Sequence, residues 1–137
     1  MAQFQISTEK KNLFPKEAIK LWTSMNWGTE NDYNEDKVRE ALNNTFFIVF
    51  ARNADNELIG LARVFGDGVL HICIAEVAVH PEFQHHGLGG KIMDIINKRF
   101  GNTSIYLDAF CENEKFFEKC GFVKRSNMSV FSKRFEN

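Results

Sequence analysis

The N-terminal part of the chain places its apolar residues at helical spacing. Four of them recur every three or four positions between residues 14 and 25: Phe14, Ala18, Leu21 and Trp22. Residues at this spacing fall on one face, so the segment predicts an amphipathic helix, and Pro15 suits its first turn. A polar loop with the sequence N-W-G-T-E-N-D-Y-N follows, and the apolar spacing of residues 38–42 indicates a short second helix.

Apolar runs with strand character occupy the middle of the chain. The runs T-F-F-I-V-F-A-R and L-I-G-L-A-R-V-F-G flank the turn-forming segment N-A-D-N-E, which predicts an antiparallel hairpin. Residues 69–80, V-L-H-I-C-I-A-E-V-A-V-H, form a nearly uninterrupted apolar stretch. A run of this kind predicts a central strand that is buried on both faces.

The two-residue alternation of this long strand is interrupted once. Its bulky side chains fall at positions 72 and 74 and then at Val77 and Val79, so the alternation slips by one residue near Ala75 and Glu76. An extra residue in one strand of an antiparallel pair produces such a slip. We therefore expect a β-bulge at this point.

The remaining part of the chain alternates helical and extended patterns. Apolar residues on one helical face predict a helix over 91–100, followed by the strand S-I-Y-L-D-A-F and a short helix around E-K-F-F-E-K-C. Gly121 is placed to end this helix as a left-handed cap, with Phe122 packed on Phe117. The last stretch predicts two strands joined by a turn at Ser126 and Asn127. The order of elements predicts a mixed α/β fold.

Composition and charge narrow the classes of partner. The 137 residues suit one domain, and 44% hydrophobic residues with 14 phenylalanines indicate a filled core. A net charge of -1 does not indicate that the protein binds nucleic acid or an anionic membrane. No leader pattern or ~20-residue apolar span occurs, so we expect a soluble cytoplasmic protein. The three cysteines lack C-x-x-C spacing and are interpreted as free thiols.

A glycine-rich segment follows the long strand and precedes the helix over 91–100. It reads Q-H-H-G-L-G-G-K, from Gln84 to Lys91. A strand that runs through glycines into a helix presents free N–H groups at a helix N-terminus, which suits phosphate, and the three glycines could take positive φ angles. The alternative is a tight turn that serves packing alone. Neither the P-loop nor the dinucleotide pattern fits, because Ile92 stands where each requires another residue.

The pattern that fits is Q-x-x-G-x-G, preceded by V-A-V-H-P-E-F. With it, the chain resembles the GNAT superfamily of acetyl-coenzyme A-dependent N-acetyltransferases. F-F-E-K-C-G-F, S-M-N-W and L-I-G-L-A-R-V-F-G-D-G are similar to further motifs of that family and of a subgroup of small bacterial members. The resemblance implies one domain over 1–137. It also implies a mixed, mostly antiparallel sheet flanked by helices, with a splayed parallel strand pair after the bulge strand.

The resemblance also implies where acetyl-coenzyme A binds. The turn would hold the pyrophosphate through its backbone, and the preceding strand would line the pantetheine arm, while the strand over 105–109 would splay away. The residues so implied are Val77, Ala78, Val79, Gln84, His85, His86, Gly87, Leu88, Gly89, Gly90 and Lys91. The first two helices would cover the acceptor, which makes Trp27 and Tyr33 candidate substrate contacts. The alternative for this aromatic pair is a lid anchored to the core.

Glu76 is the candidate catalytic base. It interrupts an apolar strand at the bulge, where a carboxylate could draw a proton from the attacking amine, directly or through water. The alternative is a buried carboxylate that satisfies neighbouring donors. His80 and Asp108 are lesser candidates. His85 and His86 have no third ligand at metal-binding spacing, so no metal is predicted.

Phe117 departs from the family pattern, which usually has a tyrosine there that protonates the departing thiolate. Tyr33, Tyr106 and Cys111 are candidate substitutes, although packing or substrate lining is the simpler role of each. A thiolate can also leave unassisted, because a free thiol has a pKa of about 8.5. We predict direct acetyl transfer to a primary amine of a small molecule or peptide. The alternative is a non-catalytic acetyl-coenzyme A-binding module, and no feature decides between a monomer and a homodimer.

Overall fold

The structure is a computed structural model that describes residues 3–134. Its strands and helices follow in the order β1 (Gln5–Ser7), α1 (Pro15–Ser24), α2 (Glu35–Asn43), β2 (Phe47–Arg52), β3 (Leu58–Gly66), β4 (His71–Val79), α3 (Leu88–Arg99), β5 (Ser104–Leu107) and α4 (Glu114–Lys119). The chain forms two compact units, one ending at Leu107 and the next beginning at Asp108. The single domain over 1–137 stays a prediction. None of the helices described is long and apolar enough to cross a membrane.

The strands form one sheet in the order β1-β2-β3-β4-β5. All neighbours are antiparallel except β4 and β5, which are parallel. This arrangement confirms the predicted mixed, mostly antiparallel α/β fold. The predicted hairpin is β2 and β3, whose connecting turn is held by Asn53 Oδ1, the acceptor for the N–H groups of Asp55 and Glu57. Strand β1 was not predicted, because three residues are too short for a periodic pattern.

The predicted β-bulge is present in β4. Val64 of β3 pairs with Ile74, and the preceding Arg63 pairs with Glu76, so Ala75 is the extra residue. Residues that pair across antiparallel strands point to the same face of the sheet. Arg63 and Glu76 are therefore neighbours on one face, although they lie 13 positions apart in the sequence.

Helices cover both faces of the sheet. On one face, α1 and α2 form a core with buried residues of β2, β3 and β4, which include Ile48, Phe50, Leu61 and Ala78. On the other face lies α3, where a Cβ at Gly60 would come within 3.1 Å of Leu88 and Ile92. Helix α1 is also tied to β2, because Arg52 Nη1 and Nη2 each donate to Glu17 at 2.6 Å.

The prediction that β4 is buried on both faces along its length is wrong for its second half. Ile72, Ile74 and Ala78 are buried, but Ala75 is exposed and Val77 is only partly buried. The physical reason is the short pairing with β5, which extends only from His71 to Ile74 of β4. Sequence hydrophobicity alone does not reveal where a neighbouring strand stops.

The second unit contains α4 and the segment after it. Gly121 takes a φ of 94°, Phe122 N donates to Phe117 O at 3.1 Å, and the two rings lie 6.2 Å apart. These contacts confirm the predicted helix cap. The turn at Ser126 and Asn127 is also present, but the two strands predicted around it are wrong, since residues 122–134 hold no strand. An isolated two-stranded ribbon is marginal because it buries too little apolar surface.

Candidate functional site

The turn between β4 and α3 is fixed to the sheet by hydrogen bonds. Gln84 Nε2 donates to the Val79 carbonyl at 2.9 Å, at the point where β4 ends. His80 N donates to Ile59 O of β3 at 2.8 Å, and its Nδ1 accepts from Glu82 N at 3.1 Å. The side chains of Gln84 and His80 therefore hold the turn in shape.

The glycines of the turn have different roles. Gly87 caps the N-terminus of α3 with a φ of 85°, and His85 also lies in the left-handed region with a φ of 67°. The expectation that Gly89 and Gly90 take positive φ angles is wrong, because α3 begins at Leu88 and includes both in its first turn. Of the three glycines in this segment, only Gly87 requires the conformational freedom of glycine.

The N-terminus of α3 fits a phosphate group. Lys91 N donates to Gly87 O at 3.1 Å, so the N–H groups of Leu88, Gly89 and Gly90 precede the first bond within the helix. A Cβ added at Gly87 or Gly90 would meet no atom of the described chain within 4 Å. Unpaired N–H groups, open space beside the glycines and the positive end of a helix dipole together suit an anion.

Side chains around the turn add charge and exposed donors. His85, His86 and Lys91 are exposed. The Lys91 ammonium lies 5.7 Å from the ring centroid of Phe4. The side chain of Leu88, the first residue of α3, is buried in contrast, so Leu88 can offer a ligand only its backbone N–H. The predicted residues from 84 to 91 thus form one continuous segment, which consists of the turn over 84–87 and the first four residues of α3.

Strand β4 is left without β5 along its second half. The last pair between these two strands is Ile74 with Leu107, while β4 continues to Val79. This is the splayed parallel pair that the sequence analysis anticipated. Val77 and Val79 are partly buried there, but the Ala78 side chain is buried in the core beneath α1 and α2. Ala78 can therefore contribute only backbone groups to a ligand.

Glu76 lies at the bulge, and its carboxylate already has two partners. Arg63 Nε donates to its Oε1 at 2.6 Å, and Trp22 Nε1 donates to its Oε2. The Glu76 side chain is 11% exposed. This arrangement matches the satisfied carboxylate considered as the alternative to a base. Each carboxylate oxygen has a further lone pair, so the partners leave room for one more hydrogen bond.

The aromatic residues of the loop after α1 adjoin this network. The Tyr33 and Trp22 rings lie 5.4 Å apart, and the Tyr33 hydroxyl donates to the Trp27 carbonyl. Burial raises the pKa of Tyr33, and the negative charge of Glu76 adds to the effect. Trp27 and Tyr33 also pack against the core of α1 and α2. Both residues are thus anchored to the core, which matches the alternative of an aromatic lid.

Two members of this network, Arg63 and Trp22, were missed as site residues. The signal for Arg63 was Glu76 itself, because a carboxylate in an apolar strand requires a charged or hydrogen-bonding partner. Tyr106, considered as a substitute acid, stacks on His71 with 4.8 Å between the rings. Asp108, Cys111 and Phe117 belong to the second unit, beyond Leu107.

Comparisons with known proteins identify the family of this chain. Residues 43–124 match the family model described as an acetyltransferase (GNAT) domain. The uncharacterized N-acetyltransferase ycf52 of Pyropia yezoensis is 31% identical over 94 residues, which cover 64% of this chain and 54% of the relative. The chain spans about half the length of the curated relatives that it matches first.

Solved structures share the fold over nearly the whole chain. A protein of unknown function from meticillin-resistant Staphylococcus aureus is 21% identical with a TM-score of 0.84, covering 97% of this chain and 100% of that one. An aminoglycoside N-acetyltransferase in complex with coenzyme A is 17% identical with a TM-score of 0.71, covering 98% and 97%. These TM-scores show that the fold is shared. Because the family model spans more than half of the residues, the protein belongs to the GNAT acetyltransferase family.

Proposed function

We propose that this protein is an acetyl-coenzyme A-dependent N-acetyltransferase that acts on a primary amine in a ternary complex. The observation that carries the proposal is the succession of three features along β4: the bulge at Ala75, the second half of the strand, which pairs with β3 but not with β5, and the turn into α3. Together they provide a polar reaction point, a strand edge without a β5 partner and an anion site in one continuous segment.

The turn from Gln84 to Lys91 would hold the coenzyme pyrophosphate. Its binding groups are the N–H groups at the start of α3, with His85, His86 and Lys91 as exposed donors around them. The backbone of Val77 to Val79 would bind the pantetheine arm, since β5 leaves this edge of β4 unpaired. A protein with the same fold is in complex with coenzyme A, which supports a coenzyme A site on this fold.

Bound acetyl-coenzyme A supplies an activated thioester. Ala75 has no partner residue in β3 or β5, and the N–H of such a bulge residue can polarise a carbonyl oxygen. Glu76 accepts the proton of the amine, directly or through one water, at a lone pair that Arg63 and Trp22 leave open. The new carbon–nitrogen bond forms as the carbon–sulfur bond breaks.

The leaving thiolate departs without a tyrosine acid. Phe117 has no proton to donate, and its ring instead packs on Phe122 within the second unit. Because a thiol is far more acidic than an alcohol, the sulfur can leave as the anion and take a proton from water. This proposal predicts turnover despite Phe117.

A thiol-release assay over a panel of amines tests the proposed function. The protein is mixed with acetyl-coenzyme A and, in separate reactions, small primary amines, an aminoglycoside and peptides with a free N-terminus. The proposal predicts that one class of amine accelerates release of free coenzyme A well above the rate without amine. Tight binding of acetyl-coenzyme A with no acceleration by any acceptor would instead indicate the non-catalytic binding module.

A further inference from the structure

Arg63 is a mostly buried arginine with unused hydrogen-bonding capacity. Its side chain is 20% exposed, and its Nε donates to Glu76. Within residues 3–134, neither Nη1 nor Nη2 makes a hydrogen bond. Both atoms are accessible to solvent, because every fully buried side-chain nitrogen of the described residues has a hydrogen-bond partner. A guanidinium has five N–H donors, so four of them remain available at the surface of this site.

The guanidinium is held in one orientation by its neighbours. Its Cζ lies 5.6 Å from the ring centroid of Trp22 and 5.7 Å from that of Phe65, within the range of cation–π contacts. Glu76 fixes the Nε edge of the same group. The edge formed by Nη1 and Nη2 is therefore a pre-oriented fork, which is the geometry that binds carboxylate or phosphate in a bidentate manner.

The fork of Arg63 lies beside the place where the acceptor would bind. Arg63 and Glu76 pair directly across β3 and β4 beside the bulge, where the amine would attack. They present a positive and a negative charge side by side, which complements a molecule that carries both an ammonium and an anionic group. We infer that the acceptor is an amine bearing a carboxylate or phosphate, and that Arg63 binds this anion through Nη1 and Nη2. The inference rests on the proposed function.

The charges of the site favour this class over a simple amine. The charges of Arg63 and Glu76 offset each other at a distance, so an acceptor with one positive charge gains only from its direct contact with Glu76. A zwitterion makes two favourable contacts. Its ammonium faces Glu76, and its anion binds the Nη1 and Nη2 donors of Arg63, which an acceptor without an anion would leave to water. Each charged hydrogen bond of this kind contributes about tenfold or more in binding.

Matched pairs of amines test this assignment. L-Alanine is compared with L-alaninol, and O-phosphoethanolamine with ethanolamine, since each pair keeps the amine and removes the anion. The wild-type protein should show a kcat/KM at least tenfold higher for the anionic member of one pair. In Arg63→Lys this ratio should fall towards one, because lysine keeps the charge but loses the fork. The pair that shows the preference identifies carboxylate or phosphate.

The ratio is measured on one preparation of each variant, so partial unfolding cancels from it. Arg99→Lys is the matched control, because Arg99 also lies against an aromatic ring, 5.5 Å from Phe47, but on α3; its ratio should equal that of the wild type. Ratios near one in both wild-type pairs, or a ratio that survives in Arg63→Lys, would overturn the inference. Coenzyme A release that no amine accelerates would instead refute the proposed function itself.

Discussion

Placing a negative charge at Gly87 should separate coenzyme binding from folding. We compare Gly87→Asp with Gly87→Asn, because the two side chains have nearly the same shape and both tolerate a positive φ. Each enters the φ of 85° at this position, and its Cβ meets no neighbour within 4 Å in the described chain. Both variants should therefore lose a similar amount of stability, about 1 kcal/mol.

The negative charge of Gly87→Asp should stabilise the folded protein but weaken the binding of coenzyme A. At the N-terminus of α3, an aspartate should stabilise the helix by about 0.3–1 kcal/mol relative to asparagine. A coenzyme phosphate about 5 Å away would be repelled by about 3 kcal/mol at an effective dielectric constant of about 20. Solvent exposure and salt reduce this penalty to about 1.5 kcal/mol, which is roughly tenfold in Kd.

Calorimetric titration with coenzyme A and thermal melting measure the two effects on the same samples. Gly87→Asp should melt at or above Gly87→Asn, yet bind coenzyme A at least about tenfold more weakly, with a gap that narrows as salt is added. Equal Kd values for the two variants would refute the placement of the pyrophosphate at this turn. A loss of affinity that follows melting temperature in both variants would indicate a role in folding alone.

Three further predictions concern the contacts of the first unit. Glu76→Gln should lower kcat/KM by about 10²–10⁴-fold; a kcat/KM equal to that of the wild type would leave Glu76 a structural residue. Burial and the charge of Glu76 raise the pKa of Tyr33 above 10.0. The stability that this difference in pKa adds to the folded state is therefore full below pH 10.0 and is lost as the pH rises through the raised pKa. The melting temperature of wild type should therefore fall more steeply than that of Tyr33→Phe at alkaline pH, and parallel curves would contradict this. Arg52→Lys should cost about 1–3 kcal/mol of unfolding free energy by breaking the paired bonds to Glu17, whereas a denaturation curve superimposable on that of wild type would show that these bonds add little.

Local patterns predicted the parts of the fold that depend on neighbouring residues in the sequence. The bulge was visible because one extra residue shifts the alternation of β4 at Ala75. The cap at Gly121 was visible because a glycine and a following phenylalanine have fixed places relative to a helix end. Each of these features is determined by a few consecutive side chains.

Features that depend on distant partners were not predictable in the same way. The strands expected after Phe122 are absent from the described residues, because an alternating pattern does not reveal whether a neighbouring strand exists. The network of Arg63, Glu76 and Trp22 joins three elements through the register of β3 and β4 and the packing of α1. The sequence indicated that Glu76 is unusual, because it interrupts an apolar strand. It did not indicate that Arg63 and Trp22 become its partners on folding.

The central claim is that an acetyl group passes directly from acetyl-coenzyme A to an amine on this protein. Mass spectrometry with an isotope-labelled acetyl group measures this transfer, together with the amount of coenzyme A released. The account predicts one labelled amine for each coenzyme A released, with no labelled protein at any time. Coenzyme A released without labelled amine, or label that passes through an acetylated residue of the protein, would contradict it.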